Sequence, residues 1–351
     1  MNVRDIVDRT IGKICKGMYE VLKRRQAEGG SLTLEHKAFL RVIDEEEPKY
    51  YRSTRGVLRM PWANMTQSTY YNLGCNIHFW HRTGTGNQYA LFFHGAGADH
   101  RMFESQIKIF DDSYHLVFWD ARGHGMSKLD EGKPFVFQDM VNDCRKIYEI
   151  LGIEKAVIIA QSMGGNLAQE MAYHHPEIIE KMVLIGCTKN TGKLTRAEKL
   201  TLKLSKAVFA CYPWGMLINQ SANACGSKAH VKQYVKDCFT QLEKAAFIDI
   251  ITAVTGCLSE DTAFRFSMPV LLLCGTDDKS GNIKKSMKLW NDTDKNCTLY
   301  MIENAGHNAN QDEPEIVNRY ISNFLLLSNM ADCPFSYKAR TRKKELRRRH
   351  E

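Results

Sequence analysis

Six short, nearly uninterrupted apolar runs constrain this chain more than any other feature. They are QYALFFHG (88–95), YHLVFWDAR (114–122), AVIIAQS (156–162), KMVLIGC (181–187), PVLLLCG (269–275) and CTLYMIENA (297–305). Each is too short for a core helix and reads as a strand buried on both faces, while stretches such as FQDMVNDCRKIYEILG (137–152) carry the helical period between them. Buried strands joined by helical crossovers predict an α/β fold built on a mainly parallel sheet with helices on both faces. Ahead of the first run, STYYNLGCNIHFWHRTGTGN (68–87) reads as a hairpin with a Gly-rich turn, which adds an antiparallel edge.

The strand rhythm stops over 188–263, where KLTRAEKLTLKLSKAVFACYPWGMLINQ and HVKQYVKDCFTQLEKAAFIDIITAVTGCL read as helices alone, and it resumes at PVLLLCG. This predicts an all-helical cap inserted in the sheet domain. The expected organisation is an N-terminal helical extension (1–67), a first core segment (68–187), the cap (188–263), a second core segment (264–330) and a basic C-terminal tail (331–351). In the extension, Ile6, Ile11, Ile14, Met18 and Leu22 recur at roughly helical spacing, as in a helix packed on the body.

Composition narrows the class of function. The first residues, MNVRDIVDR, are charged where a secretory signal needs an apolar core, and no apolar run is long enough for a membrane span, so the expected location is cytoplasmic. The eleven cysteines are scattered and form no CxxC pair, which predicts free thiols and no zinc site. Of the net charge of +8, six units come from 338–351, where eight Lys or Arg stand against two Glu. The body is therefore no nucleic-acid binder on charge grounds, and the tail is expected to be a solvated end with at most weak contact to anionic surfaces. Oligomeric state leaves no signature.

In an open parallel sheet, chemistry collects at the carboxyl ends of the strands. After Ile159 comes Ala160-Gln161-Ser162-Met163-Gly164-Gly165, a strand-to-helix corner whose small residues admit a strained turn. Such a corner lifts the Ser162 hydroxyl clear of the sheet and sets it at a helix N-terminus, although many Ser-Gly corners only cap a helix. Asp277 and Asp278 follow the PVLLLCG strand, and His307 follows CTLYMIENA. The order Ser, acid, His at successive strand ends suits a nucleophile, a carboxylate that orients an imidazole, and a base. His94-Gly95-Ala96-Gly97 closes the first long strand, and the backbone N–H groups of Ala96 and Met163 are the candidate oxyanion donors. A dinucleotide-binding reading of Gly95 and Gly97 with Asp120 fails at the third glycine, which is His100.

HGAGADH, WDARGHGMS, AQSMGG, CGTDD and NAGH together make the chain resemble the α/β-hydrolase superfamily, in particular its esterases and lipases with a helical cap, over about residues 68–328. The resemblance implies Ser162 as nucleophile, His307 as base, Asp278 rather than Asp277 as the acid, and structural roles for His94, Asp120, Arg122 and His124. Two departures are Ala160, where glycine is commoner, and Gln161, where histidine is frequent. A serine nucleophile sets the chain apart from the branches that attack with aspartate, the dehalogenases and epoxide hydrolases.

The expected activity is hydrolysis of a carboxylic ester or thioester with a lipophilic acyl group through an acyl-enzyme, without metal or organic cofactor. The alternatives are a carbon–carbon bond hydrolase or lactonase on the same triad, and a slow-turnover ligand sensor of the same fold. Large apolar residues crowd the cap: Phe209, Tyr212, Trp214, Met216, Leu217, Phe239, Phe247, Ile248 and Ile251. More than half are expected to seat it on the body and the rest to face the nucleophile, with Tyr212, Trp214 and Met163 as the candidate substrate contacts.

Overall fold

The computed structural model describes residues 24, 62 and 64–326, so most of the expected N-terminal helix and the whole of the basic tail lie outside the described residues. The chain divides into two compact units, Met1–Met65 and Thr66–Glu351, and the fold below belongs to the second.

Its centre is an eight-stranded sheet with the order β1-β2-β4-β3-β5-β6-β7-β8. The strands are β1 (Thr66–Asn72), β2 (Cys75–Arg82), β3 (Gln88–Phe93), β4 (Tyr114–Trp119), β5 (Ala156–Gln161), β6 (Ile179–Ile185), β7 (Val270–Gly275) and β8 (Cys297–Ile302). Every pairing from β4 to β8 is parallel, and β2 runs antiparallel to both β1 and β4. Residues of β5 and β7 are buried without exception, as both-face coverage requires. The hairpin turn sits at Leu73-Gly74, where both residues have positive φ (47° and 79°), the pair of values that lets a two-residue turn follow the strand twist. The glycines of TGTGN instead lie in the connection from β2 to β3.

The helices are α1 (Phe137–Leu151), α2 (Met163–His174), α3 (Arg196–Cys211), α4 (Trp214–Cys225), α5 (Ala229–Phe239), α6 (Lys244–Thr255), α7 (Ile283–Thr293), α8 (Ala309–Asp312) and α9 (Pro314–Leu326). Between β6 and β7 there are four helices, α3 to α6, and no strand. The two long helical stretches of the sequence are each divided. Pro213 ends the first, because the residue before a proline is pushed out of the helical region, and Tyr212 is extended (φ −77°, ψ 140°). The second divides after Thr240, which closes α5 ahead of α6.

Candidate active site

Ser162 joins β5 to α2 with φ 51° and ψ −116°, one of only three non-glycine residues with positive φ among those described. A conformation of that kind costs on the order of 1–3 kcal/mol and persists only where its surroundings over-determine it. Here the Ser162 N–H donates to the Ile185 carbonyl of the neighbouring strand (2.9 Å), and its own carbonyl accepts from Asn166 N–H in the first turn of α2 (3.0 Å). The glycines that follow are sterically required. A Cβ on Gly164 would stand 2.1 Å from the Phe93 carbonyl oxygen, and one on Gly165 would stand 2.7 Å from Cys187 Sγ.

The loop after β3 is pinned from beneath by His94. Its Nε2 accepts from Ala121 N–H (2.9 Å), so the proton is on Nδ1, which donates to the Gly95 carbonyl (2.8 Å). Burial holds this ring neutral by lowering its pKa. The loop that carries Ala96 is thus fixed from the core side, and its Gly97 (φ 76°) packs against Phe239 of α5 from the cap side. The other residues expected to be structural are engaged in the same way. Asp120 accepts from His100 N–H, His100 Nδ1 and Met126 N–H, which leaves it no part in ribose binding. Arg122, fully buried, pairs with Asp143 and Asp139, and His124 Nδ1 bonds the Arg122 carbonyl.

Of the two candidate acids, Asp278 is the one that meets His307. Its Oδ2 lies 3.0 Å from His307 Nδ1, its Oδ1 accepts from Ser280 N–H (2.7 Å), and it is buried while Asp277 is exposed. Burial resists ionisation of Asp278, but the hydrogen bond and charge of His307 and the Ser280 amide outweigh it and hold the carboxyl below its ordinary range. Ser162 and His307 line one cavity of about 1010 Å³. The Ser162 hydroxyl itself makes no hydrogen bond among the described residues.

The cavity lies between sheet and cap. Ala96, Gly97, Phe239, Phe247 and Ile251 are on its wall, and Lys189, Lys193 and Lys285 line it elsewhere. Of the expected substrate contacts, Tyr212, Trp214 and Met163 do not line it. Trp214 packs behind the wall on Phe247 (ring centroids 5.5 Å) and Phe239 (6.4 Å), Tyr212 is partly exposed beyond α3, and the Met163 side chain is buried in the core under the elbow. Phe209, Phe239, Phe247 and Ile251 hold the wall positions instead.

Two groups that hold His307 in place escaped the sequence. Gln161 Nε2 donates to the His307 carbonyl and to Asn308 Oδ1 (both 3.3 Å), tying the elbow to the histidine loop, and only the replacement of the commoner histidine marks it out. Asp312, completely buried, accepts from Gly306 N–H (2.8 Å), from Ser227 N–H (2.9 Å to Oδ2) and from Lys228 N–H (2.9 Å). Asn308 N–H in turn donates to the Cys225 carbonyl (2.8 Å), so the α4–α5 turn of the cap is bonded directly to the loop that carries the imidazole.

Residues 87–314 match the family described as Serine aminopeptidase, S33, a hydrolase family. The uncharacterized hydrolase YugF of Bacillus subtilis is 24% identical over 72% of this chain and 95% of its own length. Epoxide hydrolase 1 of Caenorhabditis elegans is 25% identical over 67% of this chain but only 64% of its own length, and 3-oxoadipate enol-lactonase 2 of Acinetobacter baylyi is 23% identical over 66% and 86%. Among solved structures, the enol-lactonase from Burkholderia xenovorans LB400 superposes with a TM-score of 0.64 at 17% identity, covering 74% of this chain and all of that one. A thermophilic esterase from Thermogutta terrifontis gives 0.61 at 21%, over 75% and 98%. Both share the fold of this chain.

Proposed function

The chain belongs to the Serine aminopeptidase, S33 family of α/β hydrolases, and within it we propose that this member cleaves a carboxylic ester or thioester through an acyl-enzyme on Ser162. The observation that carries the reading is the strained Ser162 on the wall of the same cavity as His307, whose Nδ1 is held by Asp278. In this reading the Asp278 bond fixes the proton on Nδ1 and leaves Nε2 free to take the Ser162 proton. The Ser162 oxygen attacks the carbonyl carbon, the N–H groups of Ala96 and Met163 receive the oxyanion, and the imidazolium returns its proton to the leaving alcohol or thiol. Water then repeats the sequence in reverse and frees the acid. A serine at the elbow argues against an epoxide hydrolase activity like that named for the Caenorhabditis elegans relative.

The aromatic wall of Phe209, Phe239 and Phe247 supports a lipophilic acyl group. Ring opening of a lactone uses the same groups and is the second reading, favoured by the enol-lactonase names among the relatives. A panel of nitrophenyl esters of increasing acyl length, run on wild type and Ser162→Ala, tests the proposal. Multiple turnover that depends on Ser162 is the expected result, and an unchanged rate in the variant ends the reading.

A further inference from the structure

Helix α3 is a sixteen-residue cap helix with no buried residue among those described, which is unusual for a helix that is more than half apolar by composition. Its apolar residues fall on two opposite sides. Leu202 and Phe209 turn towards the cavity, whereas Leu200, Leu204 and Val208, at successive i, i+4 steps, face solvent with 57%, 50% and 50% of their surfaces exposed. Exposed Cys211 falls in the same stripe by helical position, and exposed Tyr212 and half-exposed Met216 follow in sequence across the Pro213 break. Contiguous apolar surface of this kind marks a contact face.

The charges beside the stripe identify the occupant. Arg196, Lys199, Lys203 and Lys206 run along one edge of the same helix, all exposed. Lys199 and Lys206 make solvent-exposed ion pairs with Glu260 and Asp249, which screening leaves weak, and Arg196 and Lys203 have no ionic partner among the described residues. The only acid on the helix, Glu198, turns inward to bond Asn282. An apolar stripe edged on one side by cations is the pattern of a helix that lies in the plane of a membrane surface, apolar groups at the acyl boundary and ammonium groups among anionic headgroups. A second copy of the chain would set one cationic row near another. No helix among the described residues is long and apolar enough to cross a bilayer, so the contact is peripheral.

We infer that the outer face of α3, with Tyr212 and Met216, docks on an anionic lipid surface. Since Thr201, Leu202 and Phe209 of the same helix line the cavity, docking brings the wall that leads to Ser162 against the bilayer, the source of a lipophilic ester. The docking claim stands on exposure and charge and does not depend on the chemistry assigned to Ser162.

The test is co-sedimentation of the full chain with vesicles of phosphatidylcholine containing about 30% phosphatidylglycerol, and with pure phosphatidylcholine, at low and high salt. Leu204→Asp, Val208→Asp and Lys203→Glu are compared with wild type after circular dichroism has verified their folds. Wild type should bind the anionic vesicles in a salt-sensitive way, each aspartate should weaken binding at least tenfold, and Lys203→Glu should weaken it by about fivefold or more for the cation lost. The basic tail is present in every protein, so binding that survives Leu204→Asp undiminished belongs to the tail and overturns the proposal. Equal binding to both vesicle types overturns it as well. So does a concentration-dependent dimer in sedimentation velocity that Leu204→Asp abolishes while no vesicle binding is seen, which would assign the face to a second copy.

Discussion

Replacing Asp312 by alanine is expected to damage the fold and the base together, because one carboxylate serves both. Its two oxygens take the N–H groups of Gly306 and of Ser227 and Lys228, the latter two more than eighty positions before Asp312 in sequence, and nothing of the residue reaches solvent. Alanine leaves one buried and two partly buried amide donors without an acceptor, each worth about 1–3 kcal/mol when unsatisfied and least where water can reach it. Three penalties at the lower bound give roughly 3 kcal/mol, and a water entering the vacated space keeps the loss near that bound rather than at the upper one. For a domain of this size the loss lowers Tm by about 6–12 °C. Urea unfolding followed by tryptophan fluorescence reads it directly. Asp312→Asn, which keeps one acceptor oxygen but turns an NH₂ towards an amide donor, should fall between. The catalytic consequence is a drop in kcat larger than any change in KM, since Gly306 and Asn308 flank His307 on both sides and the substrate walls are untouched. A Tm within about 2 °C of wild type in Asp312→Ala would refute the reasoning, because no arrangement of the same bonds loses three donors at so small a cost.

Ser162→Ala, His307→Ala and Asp278→Asn should each lower ester turnover by roughly 10⁴ to 10⁶, with the triple variant no worse, and additive losses in kcat would deny that the three act as a unit. Acid should destabilise the protein from about pH 6.5 downwards, because burial pushes His124 down to about 3 and also lowers His94. The unfolded chain then binds protons that the folded chain refuses, stability is full above the unfolded value near 6.5, and it falls by up to about 1.4 kcal/mol per pH unit for each ring. Urea midpoints between about pH 7 and pH 5 should show that slope reduced in His124→Asn, and equal slopes in the two proteins would clear His124. In the acyl series, kcat/KM should rise with chain length by up to about fourfold per methylene, with Phe247→Ala flattening the rise more than Trp214→Ala. A steady fall from acetyl upwards would remove the apolar wall from the account.

The six apolar runs located every parallel strand, because a strand buried on both faces can carry little but apolar residues and so writes itself plainly. Their carboxyl ends were harder to place. The expected strands run on through His94-Gly95, Asp120-Arg122 and Glu303-Ala305, whereas the ladders stop at Phe93, Trp119 and Ile302. The surplus residues in each case are the loop that leaves the sheet, and no letter in them distinguishes the last paired amide from the first unpaired one. The hairpin turn shows the converse. Glycine-rich TGTGN has the stronger turn composition, but the chain reverses at Leu73-Gly74, where pairing of Asn72 with Cys75 fixes a two-residue loop.

Ser162, Asp278 and His307 could be singled out as candidates because a nucleophile, an acid and a base would each demand a particular side chain at a strand end, so residue type and position testify together. The groups that position them obey no such demand. Cys225 acts through its carbonyl and Ser227 and Lys228 through their amides, contributions that any residue except proline at the two amide positions could make. Asp312, the acceptor of the two amides, is one acid among many in a helical segment until the fold carries the α4–α5 turn to it. The same blindness explains Trp214: an indole in a cap helix fits the back of an aromatic wall as well as its front, and the choice is made by the crossing of α4 over Phe239 and Phe247, which no local pattern encodes. It follows that cap substitutions with little effect on the wall can still disturb the base, through the 225–228 turn. In this fold the identity of the candidate catalytic groups is written locally, while their placement is shared with the cap.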